Sequence, residues 1–99
     1  MAPRLQLHQL LETFADYVYF QPPTNVQLNY PCIIYKRDFA HTEFADDKPY
    51  NHTLRYMITI ITLNPDSEIP KKVAEMPMSL FNRFYTVDNL NHDVYSVYF

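Results

Sequence analysis

Glycine is absent from these 99 residues. Phosphate-cradling loops, dinucleotide fingerprints and nucleophile elbows depend on glycine, because their backbone must approach a ligand closely or turn through positive φ, which a Cβ penalises. Those routes to chemistry are largely closed. Cysteine is nearly absent as well. Cys32 is the only one, which excludes an intrachain disulfide framework. Its position in the apolar run Cys32-Ile33-Ile34-Tyr35 predicts a buried, inert thiol. Positive charge is scarce and scattered: 8 Lys and Arg face 11 Asp and Glu, for a formal charge of −3. The largest basic groupings are the pairs Lys36-Arg37 and Lys71-Lys72, too small for a phosphate-gripping stripe, so sequence-specific nucleic-acid binding is not expected. No apolar run reaches the ~20 residues of a membrane helix. The N-terminus lacks the pattern of a signal peptide, so no membrane partner is expected and synthesis in a reducing cytoplasm is. Asn51-His52-Thr53 matches a glycosylation acceptor only formally in that setting.

What the chain has is aromatic surface. Nine Tyr and seven Phe lie among 47% apolar residues. This length suits one modest core, and a single domain over residues 1–99 is expected. Leu7, Leu10, Leu11, Phe14 and Val18 share one helical face, predicting an amphipathic helix over residues 4–18 that Pro22 and Pro23 end. A strand is expected at 31–37, then a polar loop interrupted by aromatics at 38–50. Its length suggests a role beyond connection. Residues 53–63 give the strongest β pattern, with apolar residues on both parities, and cover on both faces is expected toward its C-terminal half. Asn64-Pro65-Asp66-Ser67 is a turn and cap signal for a short helix at 67–76, which Pro77 ends. Two further strands, 80–86 and 93–99, flank a polar turn. The expected fold is α+β, a small mainly antiparallel sheet of about four strands with an N-terminal amphipathic helix and a second short helix, in the order α-β-β-α-β-β.

Candidate chemistry is sparse. Asp46 and Asp47, with His41, Glu43 and His52 nearby, form the one group rich in metal-ligand types, but the spacing fits no recognised motif and solvated loop charges are the simpler reading. No metal or cofactor is assigned. His92 beside Asp93 suggests an oriented base for Ser79 or Ser96. Neighbours on a strand point to opposite faces, which favours a structural histidine and no enzymatic role. The tyrosines suit protein interfaces better than base stacking, given the acidic balance. Arg55, within an apolar run, either reaches the rim, the simpler reading, or pairs with a carboxylate, with a subunit boundary as one place for the pair.

Three segments carry a resemblance: Tyr30-Pro31-Cys32-Ile33-Ile34-Tyr35, then Asp47-Lys48-Pro49-Tyr50-Asn51-His52-Thr53-Leu54-Arg55-Tyr56, and Leu90-Asn91-His92-Asp93-Val94-Tyr95. From about residue 5 onward the chain resembles the small tail completion or tail terminator proteins of tailed bacteriophages. The resemblance implies a virion protein made in the host cytoplasm. Such a protein forms a ring of its own copies, commonly six, at the head-proximal end of the tail. It would stop polymerisation of the tail tube protein and offer a surface to the head-completion or connector proteins. It implies no catalytic residues. Phe39, Phe44 and Tyr50 are the candidate interface anchors, Asp46, Asp47 and Lys48 would set register by charge, and Arg55 joins them as a contact candidate. A head-completion stopper or adaptor fits the same pattern, while a small metal-dependent hydrolase using His41, Asp46, Asp47 and His52, and a monomeric regulatory protein, are the readings from other classes.

Overall fold

The computed structural model describes residues 3–45 and 48–99, with side chains described outside residues 41–52. Helix α1 spans Pro3–Glu12, opening on a proline whose missing N–H costs nothing in the first turn. The helix stops earlier than its apolar periodicity predicts. The Thr13 hydroxyl and N–H both bond the Leu10 carbonyl, and Tyr17–Phe20 then forms strand β1. Phe14 and Val18 still pack against the core, from beyond the helix end and from β1. The β-forming run Tyr17-Val18-Tyr19-Phe20 finds a parallel partner in Cys32–Tyr35, and that pairing overrides the helical spacing.

Strands β2 (Cys32–Ala45) and β3 (Lys48–Thr62) pair antiparallel along nearly their whole lengths, as far as Ala45 opposite Lys48. Helix α2 (Ile69–Ala74) and strands β4 (Ser79–Val87) and β5 (Leu90–Tyr98) complete the chain. The sheet order is β1-β2-β3-β5-β4, antiparallel except for β1 with β2. The architecture is therefore α+β with five strands, in the order α-β-β-β-α-β-β rather than α-β-β-α-β-β. The fifth strand is β1, which the helical pattern absorbed. The expected loop at 38–50 is likewise replaced, since its described residues lie in β2 and β3.

Without glycine, the two-residue β4–β5 turn uses Asp88 and Asn89 at φ 52° and 64°. These residue types tolerate the left-handed region best, and two such residues match the twist of a hairpin. Residues of one parity face the helices. Ile33, Tyr35, Tyr56, Ile58, Ile60, Tyr95 and Val97 pack with Leu7 and Leu11 of α1 and Val73 of α2. Full burial of each such side chain contributes about 1.5–3 kcal/mol. Ile60 and Ile61 are both buried, so β3 is covered on both faces near its C-terminal end. The chain's last residue is tied down by Phe99 N–H donating to Leu54 C=O at 3.1 Å.

Tyr35 is the polar centre of this core. It is fully buried, its ring lies 4.9 Å from that of Phe20 and 6.0 Å from that of Tyr56, and its hydroxyl meets His8 Nδ1 at 2.7 Å and Arg4 Nη1 at 3.4 Å. Burial raises its pKa although Arg4 pulls the other way. Tyr35→Phe should cost about 1 kcal/mol and Tyr35→Ala about 3–5 kcal/mol in chemical denaturation, because the first removes a hydrogen bond and the second also leaves a cavity.

Asp93 shares the helix-side parity and pairs in register with Ile60 and Phe84. Partial burial raises its carboxyl pKa, and the positive charge of His92 opposes this only in part. A carboxyl whose folded pKa exceeds its unfolded value destabilises the fold when ionised, and the penalty lifts as pH falls through the folded pKa. Asp93→Asn should therefore melt above the parent at pH 7, with the difference shrinking as pH drops through the carboxylate range. A difference in Tm that stayed constant with pH would disprove this account.

Candidate interaction surface

Strand β4 is the last in the sheet, with β5 on one side and no described strand on the other. Its residues are exposed on both parities: Leu80 is 63% exposed, Phe81 59% and Phe84 52%, and Tyr85, Val87 and the preceding Met78 add to the same surface. The reason is the size of the cover. Helix α2 lies against β4 and β5, but it has only six residues and contributes only Val73 as a buried residue, too little to hide the side chains of β4. Phe81 finds a partial partner, its ring meeting Tyr95 edge-on at 5.5 Å and 77°. An edge strand of nine residues presents a row of unpaired backbone groups, and natural sheets usually blunt such edges with charge, proline or bulges. Here the blunting amounts to Arg83 and a register shift at Asn82. Clustered apolar surface of this kind marks interaction sites.

The second surface is an arm. β1 accompanies β2 only as far as Tyr35, and β5 accompanies β3 only as far as Arg55, so Phe39–Ala45 and Lys48–Leu54 run on as a two-stranded ribbon. The molecule is drawn out to 51 × 25 × 23 Å. At the base of the arm, the register skips Asp38, placing it as the extra residue of a bulge. Bulges redirect side chains. This one brings the Asp38 carboxylate into a two-point contact with Arg55, Nε to Oδ1 at 3.1 Å and Nη2 to Oδ2 at 3.2 Å. The Arg55 guanidinium also lies 4.8 Å from the centre of the Phe39 ring. The hydrogen bond to Asp38, with a lesser one to Tyr98, raises the Arg55 pKa further above its already high value.

Arg55 is thus paired with a carboxylate, on its own chain, and with Phe39 it fixes the root of the arm. Phe44 pairs in register with Pro49 near the arm's end, Lys48 pairs with Ala45, and Tyr50 occupies a second register shift. Asp46 and Asp47 lie outside the described residues. Among the described residues no three His, Cys, Asp or Glu side chains gather in a way that suits a metal. His92 and Asp93 fall on opposite faces of β5. The His92 ring stacks on Tyr85 at 4.6 Å, and its Nδ1 meets the Leu90 carbonyl oxygen at 3.1 Å, so it serves the hairpin. Cys32 is buried, and burial pushes its thiol up to about 11, which keeps it protonated and unreactive at neutral pH.

The surface that sequence reasoning missed is β4. Its signal was the run Leu80-Phe81-Asn82-Arg83-Phe84-Tyr85, apolar on both parities, a pattern shared by a strand buried on both faces and one bare on both. Comparison with protein-family models and with curated proteins finds no match. Leu80→Lys with Phe84→Lys should leave the melting temperature within a few degrees of the parent, since both side chains are mostly in water. The same pair should abolish concentration-dependent association in sedimentation velocity, and a melting temperature lowered by more than ten degrees would show instead that the two side chains stabilise the monomer.

Proposed function

We propose that this chain is a ring-forming assembly protein of a tailed-bacteriophage virion, a tail terminator that closes the head-proximal end of the tail tube and offers a joining surface to the head. The observation that carries the reading is that one chain displays two unlike incomplete surfaces, the apolar edge of β4 and the projecting β2–β3 arm. A contact between unlike surfaces propagates from copy to copy, and gives a ring where its rotation closes. The helix-on-sheet fold is in keeping with the resemblance of the sequence to terminator proteins. The acidic balance would limit association with packaged nucleic acid.

In this reading the arm and its anchors Phe39, Phe44 and Tyr50 reach a neighbouring subunit or the tube protein, while Asp46, Asp47 and Lys48 set register. Arg55 acts from the arm's root by holding Asp38. Native mass spectrometry over a concentration series, with negative-stain images of the same sample, should give closed rings of one discrete size, six copies being expected. Adding these rings to growing tail tubes should stop elongation. Rings that leave elongation unchanged would count for a stopper or adaptor of the neck, and open chains of undefined length would count against ring closure.

A further inference from the structure

The sheet face opposite the helices holds a groove that the ring reading leaves unused. The connection after β1 lies against β2 and encloses an open hollow of about 680 Å³, with Pro22, Val26 and Leu28 on its wall and Ile34, Lys36 and Arg37 along β2. A second hollow of about 230 Å³ continues from Ile34 and Lys36 across Met57 and Thr59 to Arg83 and Tyr85 on β4. The groove therefore runs from the β1–β2 connection to the exposed edge strand. Lys36 and Arg83 share this face, Arg37 borders the first hollow from the other parity of β2, and not one lining residue is acidic, in a chain whose net charge is −3. Arg83 is held over the Tyr85 ring at 5.5 Å. An apolar floor with Lys36 where the two hollows meet and Arg83 at the β4 end selects an extended acidic segment that carries an apolar residue.

The chain contains such a segment. Glu43-Phe44-Ala45-Asp46-Asp47 supplies three carboxylates and an aromatic ring in the sequence that includes the end of β2. It cannot reach its own groove. Ala45 lies nine residues beyond Lys36 on the same strand, about 30 Å away at about 3.3 Å per residue. A two-stranded ribbon without neighbours is marginal in water, so the arm needs a surface to lie on.

We propose that the cationic groove receives the acidic end of the arm of a second copy, with the carboxylates of Glu43, Asp46 and Asp47 matched to Lys36 and Arg83 and with Phe44 over the apolar wall. This rests on the arm being a subunit contact, and it names the surface that accepts it. The contact is heterologous, since each copy gives an arm and takes one. It is also salt-sensitive, because its charges lie near the surface.

Two full-length variants test the match: a groove variant, Lys36→Gln with Arg83→Gln, which removes the groove's charge without reversing it, and an arm variant, Glu43→Lys with Asp46→Lys and Asp47→Lys. Both groove positions are exposed, so the groove variant should keep the parent's circular dichroism and melting temperature, and the arm variant is used only if it keeps them too. Arg83→Gln alone serves as a milder groove change. Each variant alone should be monomeric, with self-association weakened at least tenfold. Their mixture retains one good contact, the parent arm with the parent groove, and should give a 1:1 heterodimer and nothing larger in native mass spectrometry. Variants that assemble as the parent does, or a mixture that stays monomeric, would overturn the groove assignment even where the parent forms rings. A heterodimer from the mixture, combined with a parent that never closes a ring, would uphold the groove and sink the terminator reading instead.

Discussion

The antiparallel pairing of β2 with β3 is the interaction on which the rest of the structure depends. These are the longest strands in the sheet, and every other layer attaches to them: β1 along β2, β5 along β3, and α1 and α2 across the face that they make together. The side-chain period of a strand is two, so a slip of one residue would turn Ile33, Tyr35, Ile58 and Ile60 from the core to the opposite face. The register is pinned at the bulge. Asp38 is the unpaired residue, and the Arg55 guanidinium grips its carboxylate at two points, which no shifted pairing reproduces. The pairing is also local in sequence, with two residues between Ala45 and Lys48, so little loop entropy opposes it.

One consequence is asymmetry of cover. A chain of 99 residues that commits so many to two long strands has little left for helices, and its ten-residue α1 and six-residue α2 suffice only for the middle of one sheet face. The ends of the sheet are left bare in different ways. At one end the ribbon outruns its neighbours and becomes an arm. On one side β4 completes the sheet with only the short α2 against it, so the same apolar composition that buries Val94 to Val97 in β5 exposes Leu80, Phe81 and Phe84 one strand further out. The two candidate surfaces are products of a single allocation of chain.

The parts of this fold legible in the sequence are those where local pattern and tertiary environment agree. The periodic leucines of α1, the buried Cys32, the both-parity apolar pattern of β3 and the β4–β5 hairpin are of this kind. Two parts were not legible. Strand β1 lay hidden because Phe14 and Val18 continue the helical spacing while packing on the core by another route, and only the availability of β2 as a partner decides between the two. The arm lay hidden because His41, Thr42 and Glu43 are polar. A polar run of this kind shows no apolar alternation, so its backbone pairing leaves no trace in hydropathy. Arg55 illustrates the boundary well: a cation in an apolar strand announces a partner, but Asp38 becomes that partner only through a bulge that composition does not reveal.

The absence of glycine bears on assembly through the edges. Glycine loosens strands and permits alternative pairings; a chain without it holds its sheet stiffly, so the open edge of β4 keeps one shape for whatever meets it. The simplest partner for such an edge is its own copy, paired antiparallel about a two-fold axis. Full overlap of Ser79–Val87 with itself centres that axis on Arg83 and sets two guanidinium groups directly opposite each other. Like charges in that position destabilise a strand pair, and shifting the register to separate them gives up backbone pairing along the edge. Arg83 therefore discourages the isologous dimer while standing where an acidic segment from an unlike surface gains from it. In the ring proposed above this bias would matter, because every copy lost to a two-fold pair would be removed from head-to-tail growth.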